Sequence, residues 1–164
     1  MAVRTIRLLG DPILRKKCAP VRGWQPSRVK ALARDLRDTL DEFRATHRFG
    51  RGIAAPQIGT SARMIYIKPN GLGALLNPKI TKRSKGTIQL WDDCFSFPDL
   101  LVRVRRHRAI EVTYVDEEGA KKKMKATGAL SELLQHEIDH LDGVLAIDRA
   151  ISTKAIVMRR GRKR

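Results

Sequence analysis

Aromatic residues are scarce in this chain, at 5% of 164 residues, and none is interleaved with its basic runs. That excludes the base-stacking platform used for sequence-tolerant binding of single-stranded nucleic acid. Cysteine is scarcer still: Cys18 and Cys94 are the only two. A bridge between them is not expected in a reducing compartment, and Cys18 reads as a small core residue. No apolar run reaches the length of a membrane span. Residues 1–10 are basic but too poor in apolar side chains for a secretory signal, and Asp11-Pro12 already reads as folded-domain sequence, so a cytoplasmic monomer is expected.

Acidic side chains are also in deficit, with 34 Lys and Arg against 17 Asp and Glu and a formal net charge of +17. This excess predicts attraction to polyanions with a marked salt dependence. The basic runs are Arg103 to Arg108, Lys121 to Lys125, and a tail holding Arg159, Arg160, Arg162, Lys163 and Arg164. For the tail the favoured reading is polyanion binding through backbone phosphate, as on ribosomal RNA; for the body a solvated surface is equally acceptable.

What is present fits one globular domain: 42% hydrophobic and 31% charged residues are ordinary for such a fold. The expected division is a catalytic domain over residues 1–150 and a basic tail over 151–164. Asp11-Pro12 and Ala19-Pro20 predict an extended arm lying on the surface. Val29, Leu32, Leu36, Leu40 and Phe43 recur at helical spacing, so a helix is predicted over 27–45 with Ser27 as its N-cap. Short strands are predicted at 63–67, 74–80, 87–90, 101–105, 109–115 and 120–126, with Asp116 to Gly119 as a hairpin turn. No repeat appears, and the Gly-rich stretch at 50–59 lacks the Gly-Lys-Ser/Thr of a phosphate-binding loop.

The chemistry is concentrated in Gln135-His136-Glu137-Ile138-Asp139-His140. Residues four apart share a helix face, so His136 and His140 reach one metal ion, with Glu137 between them as a proton acceptor for water. The helix starts near Thr127-Gly128 and stops before Gly143. Leu130, Leu134, Ile138 and Leu141 form an apolar face that should bury it against the sheet. Glu137 projects toward that buried side, where an idle carboxylate is costly. Asp139 points elsewhere and reads as solvated or as a partner of a ligand. A third metal ligand is needed, and Cys94, His47, His107 or a carboxylate are the candidates; both histidines read as surface residues. The fold class is therefore α+β, with antiparallel strands packed around a central buried helix carrying H-E-x-x-H, plus an N-terminal helix.

Taken together, Gly50-Arg51-Gly52-Ile53-Ala54-Ala55-Pro56-Gln57, Asp92-Asp93-Cys94-Phe95-Ser96 and Gln135 to His140 resemble the three ordered motifs of the peptide deformylase family, G-x-G-x-A-A-P-Q, E-G-C-L-S and Q-H-E-x-D-H. Gly10 to Arg15 and Leu76-Asn77-Pro78 extend the similarity over most of the chain. The second motif departs: Asp92 replaces Glu, Asp93 replaces Gly and Phe95 replaces Leu. The stretch 44–49 also looks longer than usual. The resemblance implies that Cys94, His136 and His140 hold one divalent ion, Fe(II) favoured, with zinc, nickel or cobalt tolerated. It implies Glu137 as general base, and Gln57 with the Phe95 backbone N–H as oxyanion donors. The substrate would be a formyl-methionyl peptide, held near Gly52, Ile53, Phe97 and Leu133, with Phe95 as a further apolar candidate. Ordinary core packing is the competing reading for these apolar residues. Two other functions fit the departures: an amidohydrolase on another small N-acyl substrate, and a weakly catalytic metal-binding protein associated with ribosome or RNA.

Overall fold

The computed structural model describes residues 3–23 and 25–161. Its elements in chain order are α1 (Pro26–His47), β1 (Gly52–Ala54), β2 (Met64–Ile67), β3 (Gly73–Arg83), β4 (Thr87–Asp92), β5 (Leu100–His107), β6 (Ala109–Val115), β7 (Lys121–Thr127), α2 (Gly128–Leu141) and β8 (Ile156–Met158). A five-stranded sheet runs β1-β2-β3-β6-β7 and a three-stranded sheet runs β4-β5-β8. Every pairing is antiparallel. This is the expected α+β arrangement.

Period-2 alternation divides the large sheet between the two helices. Ala54, Ile65 and Leu75 pack with Leu133, Leu134, Ile138 and Leu141 of α2. Their neighbours Ile53, Met64, Ala74 and Leu76 turn to the opposite face and pack with Val29, Leu36, Leu40 and Phe43 of α1. The small sheet closes over another side of α2, with Val102 and Val104 beside Leu14, Cys94, Phe97 and Leu145. Helix α2 is thus central, and even its polar residues Ser131, Glu132, Gln135, His136, Glu137 and His140 are buried. Both cysteines are free and buried, Cys18 within the α2 cluster. No helix among the described residues is long and apolar enough to cross a membrane.

Four details depart from the sequence expectation. Helix α1 begins at Pro26 behind Gln25, and its cap makes no side-chain hydrogen bond; proline at the first helical position displaces Ser27 from the N-cap role. Strand β3 continues to Arg83 through register shifts that keep it paired with β6. Strand β1 was not predicted, because its three residues are all buried and show no alternation. Finally, residues 151–161 are not a free tail: Ala155 is buried and β8 pairs Leu100 with Met158 and Val102 with Ile156.

The helix-on-sheet packing gives a direct test. Leu134 is fully buried between α2 and the large sheet, so Leu134→Ala should lower unfolding free energy by about 2–5 kcal/mol, read by denaturant melts at unchanged m-value.

Candidate active site

Helix α2 carries His136 and His140 on one face, and the stretch after β4 brings Cys94 to them. The ligand atoms of these three buried residues all lie within 4.8 Å of one another. Cys94 Sγ is 3.3 Å from His140 Nε2. His136 Nδ1 donates to Asp92 at 3.0 Å, which leaves its Nε2 for the shared centre. Three converging soft and borderline donors with no cation of the protein's own suit a divalent transition metal, and three protein ligands leave a position open. The residues present therefore fit the ion that the donor set implies. The other two histidines lie elsewhere: His47 stacks on Phe43, and His107 Nδ1 faces Ser84 O at 2.8 Å.

Glu137 lines the same cavity and is 3% exposed. Its Oε2 has no hydrogen-bond partner among the described residues. Burial pushes its carboxyl up to about 7, a value suited to taking and returning a proton near neutrality. Gly52 makes room for it: a Cβ there would stand 2.9 Å from Glu137 Oε1 and 3.0 Å from Cγ. Gln57 is oriented by its own loop. Its Oε1 accepts from Ala54 N–H at 2.9 Å, so Nε2 faces Cys94 Sγ at 3.5 Å and Ser96 Oγ at 3.4 Å. The Phe95 ring stacks on Phe43 with centroids 3.7 Å apart, and its backbone N–H finds no acceptor among the described residues.

These groups open on a cavity of about 430 Å³ lined by Gly52, Gln57, Cys94, Phe95, Leu133 and Glu137, with Arg44, Phe49, Trp91 and Glu132 also in its walls. Two expected lining residues are instead core. Ile53 alternates away from Gly52 and Ala54 into the α1 cluster, and Phe97 packs beside Leu14 and Val102. Arg159, read from sequence as part of a polyanion-binding tail, turns back onto Asp93 at 3.0 Å. Arg160 is exposed, and Arg162, Lys163 and Arg164 lie outside the described residues.

The sequence reading missed the groups that hold His136. Asp92 accepts from Arg106 Nη2 at 2.9 Å as well as from His136. Arg106 also donates to Asp139, which Arg149 binds from the other side at 2.8 Å. Burial alone would raise the Asp92 carboxyl, but the charges and hydrogen bonds of His136 and Arg106 outweigh it and hold Asp92 well below the usual carboxylate range. The signal was available: alternation along β5 turns Val102, Val104 and Arg106 inward together, and a buried guanidinium demands carboxylates. Gln135 was also unassigned. Its amide accepts from His107 N–H at 3.0 Å and donates to His107 C=O at 2.9 Å, fastening α2 to the end of β5.

Two outcomes follow from this network. Arg106→Met strands two buried carboxylates and should cost about 3–5 kcal/mol in unfolding free energy, with weakened metal retention in equilibrium dialysis. In metal-stripped protein, Asp92 lies below its unfolded value of about 3.9. Its contribution is therefore complete above about pH 4 and is lost as pH falls through the native value. Stability should begin to fall below about pH 4 and keep falling as pH is lowered toward the native value, and Asp92→Asn should flatten that dependence.

Residues 3–155 match the family model described as polypeptide deformylase. The chain is 39% identical over 151 residues to a peptide deformylase of Dictyoglomus thermophilum, covering 91% of this chain and 94% of that one. It is 40% identical over 159 residues to that of Thermomicrobium roseum, covering 91% and 86%. The crystal structure of peptide deformylase from Thermotoga maritima superposes with a TM-score of 0.85 at 34% identity, over 93% of this chain and 100% of that one. A peptide deformylase from Synechococcus elongatus, in complex with actinonin, gives 0.83 at 31% identity over 94% and 82%. At this similarity along nearly its whole length, the chain belongs to the peptide deformylase family, the metal-dependent hydrolases that remove the N-formyl group from nascent polypeptides.

Proposed function

We propose that the deformylation of formyl-methionyl peptides is carried out in this chain by Glu137, Gln57 and the Phe95 N–H, around one divalent ion held by Cys94, His136 and His140. The observation that carries this reading is the convergence of the three donor atoms within 4.8 Å in a cavity that Glu137 also lines. Fe(II) is the favoured ion, with zinc, nickel or cobalt as substitutes, since a thiolate with two imidazoles accepts all four. When bound, the ion supplies positive charge that polarises the formyl carbonyl and acidifies water.

The chain's own residues do the rest. Glu137 takes the proton of the attacking water and returns it to the leaving amine, so that water is divided between formate and the new N-terminus. Gln57 Nε2 and the Phe95 N–H donate to the oxygen that gains charge as water adds to the formyl carbon. Leu133 and Phe95 offer apolar surface to the methionine side chain, and Gly52 lets the peptide backbone approach. Ribosomal RNA is the proposed partner of the exposed basic surface, which includes Arg103, Arg105 and Arg160, and a net charge of +17 supports it. The reading places a monomer in the cytoplasm.

Formate release from formyl-Met-Ala-Ser by protein loaded anaerobically with Fe(II) tests this reading. Turnover should exceed about 1 s⁻¹, and Glu137→Ala should lower it by at least about 10²-fold. Gly52→Ala sharpens the test. Gly52 has no left-handed backbone to disturb, so the variant folds, but its new methyl must displace the Glu137 carboxyl. A loss of up to about 10² in kcat is expected. Full activity in Glu137→Ala would rule out Glu137 as the proton carrier.

A further inference from the structure

One side chain outside the reacting groups ties the cavity together from the far end of the chain. Arg159 follows β8. Its backbone N–H donates to Asp99 C=O at 2.7 Å, its Nε to Pro98 C=O at 2.8 Å and its Nη2 to Asp93 Oδ2 at 3.0 Å. The same guanidinium lies 3.9 Å from the centre of the Phe49 ring. Asp93 and Phe49 both line the cavity but arrive on different segments. Asp93 comes from the stretch after β4, beside Cys94, and Phe49 from the link between α1 and β1. Phe49 in turn meets Phe43 and Phe95 edge-on, at 5.2 Å and 5.9 Å. Arg159 therefore adds a polar bridge between two walls that the Phe49–Phe95 ring contact also joins.

We propose that Arg159 is a positioning residue for substrate binding: it pairs with Asp93 and pins Phe49, so that this wall of the cavity holds no unpartnered carboxylate at Asp93. The proposal rests on the reading of this cavity as the site for formyl-methionyl peptides. A carboxylate left without a partner at this wall would keep water beside it and oppose burial of an apolar side chain against Phe95 and Leu133. A guanidinium suits the task because its planar fork donates in two directions while its face lies on a ring. Lysine carries the charge but cannot make all three contacts at once. None of the Arg159 contacts involves Glu137, Gln57 or the three metal-binding side chains, so the effect falls on binding more than on chemistry.

The test is steady-state kinetics of formate release from formyl-Met-Ala-Ser by the Fe(II)-loaded full-length protein. Arg159→Ala should raise KM about tenfold while kcat stays within about twofold, the signature of lost uniform binding. Arg159→Lys should fall between, and Asp93→Asn added to Arg159→Ala should return KM most of the way by removing the stranded charge. An unchanged KM in Arg159→Ala overturns the proposal. So does a joint collapse of kcat and thermal stability that Asp93→Asn does not relieve. If the unmutated protein releases no formate, the substrate reading fails, and the clamp is then decided by melting temperatures of the four-member cycle between positions 159 and 93. A coupling of about 1–3 °C supports it, as expected for a half-exposed pair, and strictly additive shifts overturn it.

Discussion

A single guanidinium buried between two carboxylates holds the metal-binding face of this protein in register. Arg106, on β5, reaches Asp92 at the end of β4 and Asp139 on α2, and Asp92 in turn orients His136. As a source of stability such a set of ions is weak, since desolvation offsets most of their attraction and replacing all of its members together by apolar side chains often does as well. Its worth is geometric. The Nδ1–H of His136 can satisfy Asp92 in only one ring orientation, and that orientation turns Nε2 toward Cys94 and His140. Because Arg106 and Asp92 belong to the small sheet and His136 and Asp139 to α2, the same contacts that aim the ligand also dock the sheet. Position of the ligand and packing of the layer are one constraint.

The N-terminal arm adds a second kind of restraint, in which backbone hydrogen bonds reach each motif. Arg7 N–H donates to Gln57 C=O at 2.7 Å, Leu9 N–H to Ser96 C=O at 2.8 Å, and Cys18 N–H to Leu141 C=O at 2.8 Å. One contact falls on each of the three stretches that carry the chemistry. Asn77, at φ 49, completes the lacing by exchanging two hydrogen bonds with the backbone of Val21, at 2.8 Å and 2.9 Å. Segments that are distant in sequence are thereby held at fixed spacing by an arm that contributes no reacting group. Such spacing matters because misplacement of a catalytic group by about 1 Å can cost about 10² in rate.

Much of this was legible in the sequence, for physical reasons that also mark where legibility ends. The apolar stripe Leu130, Leu134, Ile138 and Leu141 has helical period over several turns, so α2 and its buried face could be read directly. Strands β5, β6 and β7 alternate over enough residues to declare themselves. Strands β1 and β8 have only three residues each, too few for a period to show, and both exist through tertiary pairing. The histidine pair was visible because helix geometry is local. The choice of Leu133 over Ile53 and Phe97 for the cavity was not, because it depends on which face of a short strand or turn meets which layer. Arg159 was misread for the same reason: a member of a basic run that folds back onto a carboxylate 66 residues earlier carries no local sign of it.

The two glycines at 50 and 52 show how closely the motifs constrain one another. A Cβ on Gly50 would fall 2.0 Å from Phe95 Cε1, and one on Gly52 would crowd Glu137. The first glycine is empty space required by the stretch that brings Cys94, the second by the helix that brings the histidines. On an extended backbone residues two apart would share one side; the positive φ of 98° at Gly50 turns the chain, so that the two glycines face different partners. This explains how a Phe at 95, where the related motif carries Leu, is accommodated: the added ring occupies the clearance at Gly50 and stacks on Phe43. The departure from the motif is absorbed by side-chain packing on the α1 side, with His47, Phe43, Phe95 and Phe49 forming one aromatic cluster. His136, Glu137 and His140, on α2, take no part in that cluster.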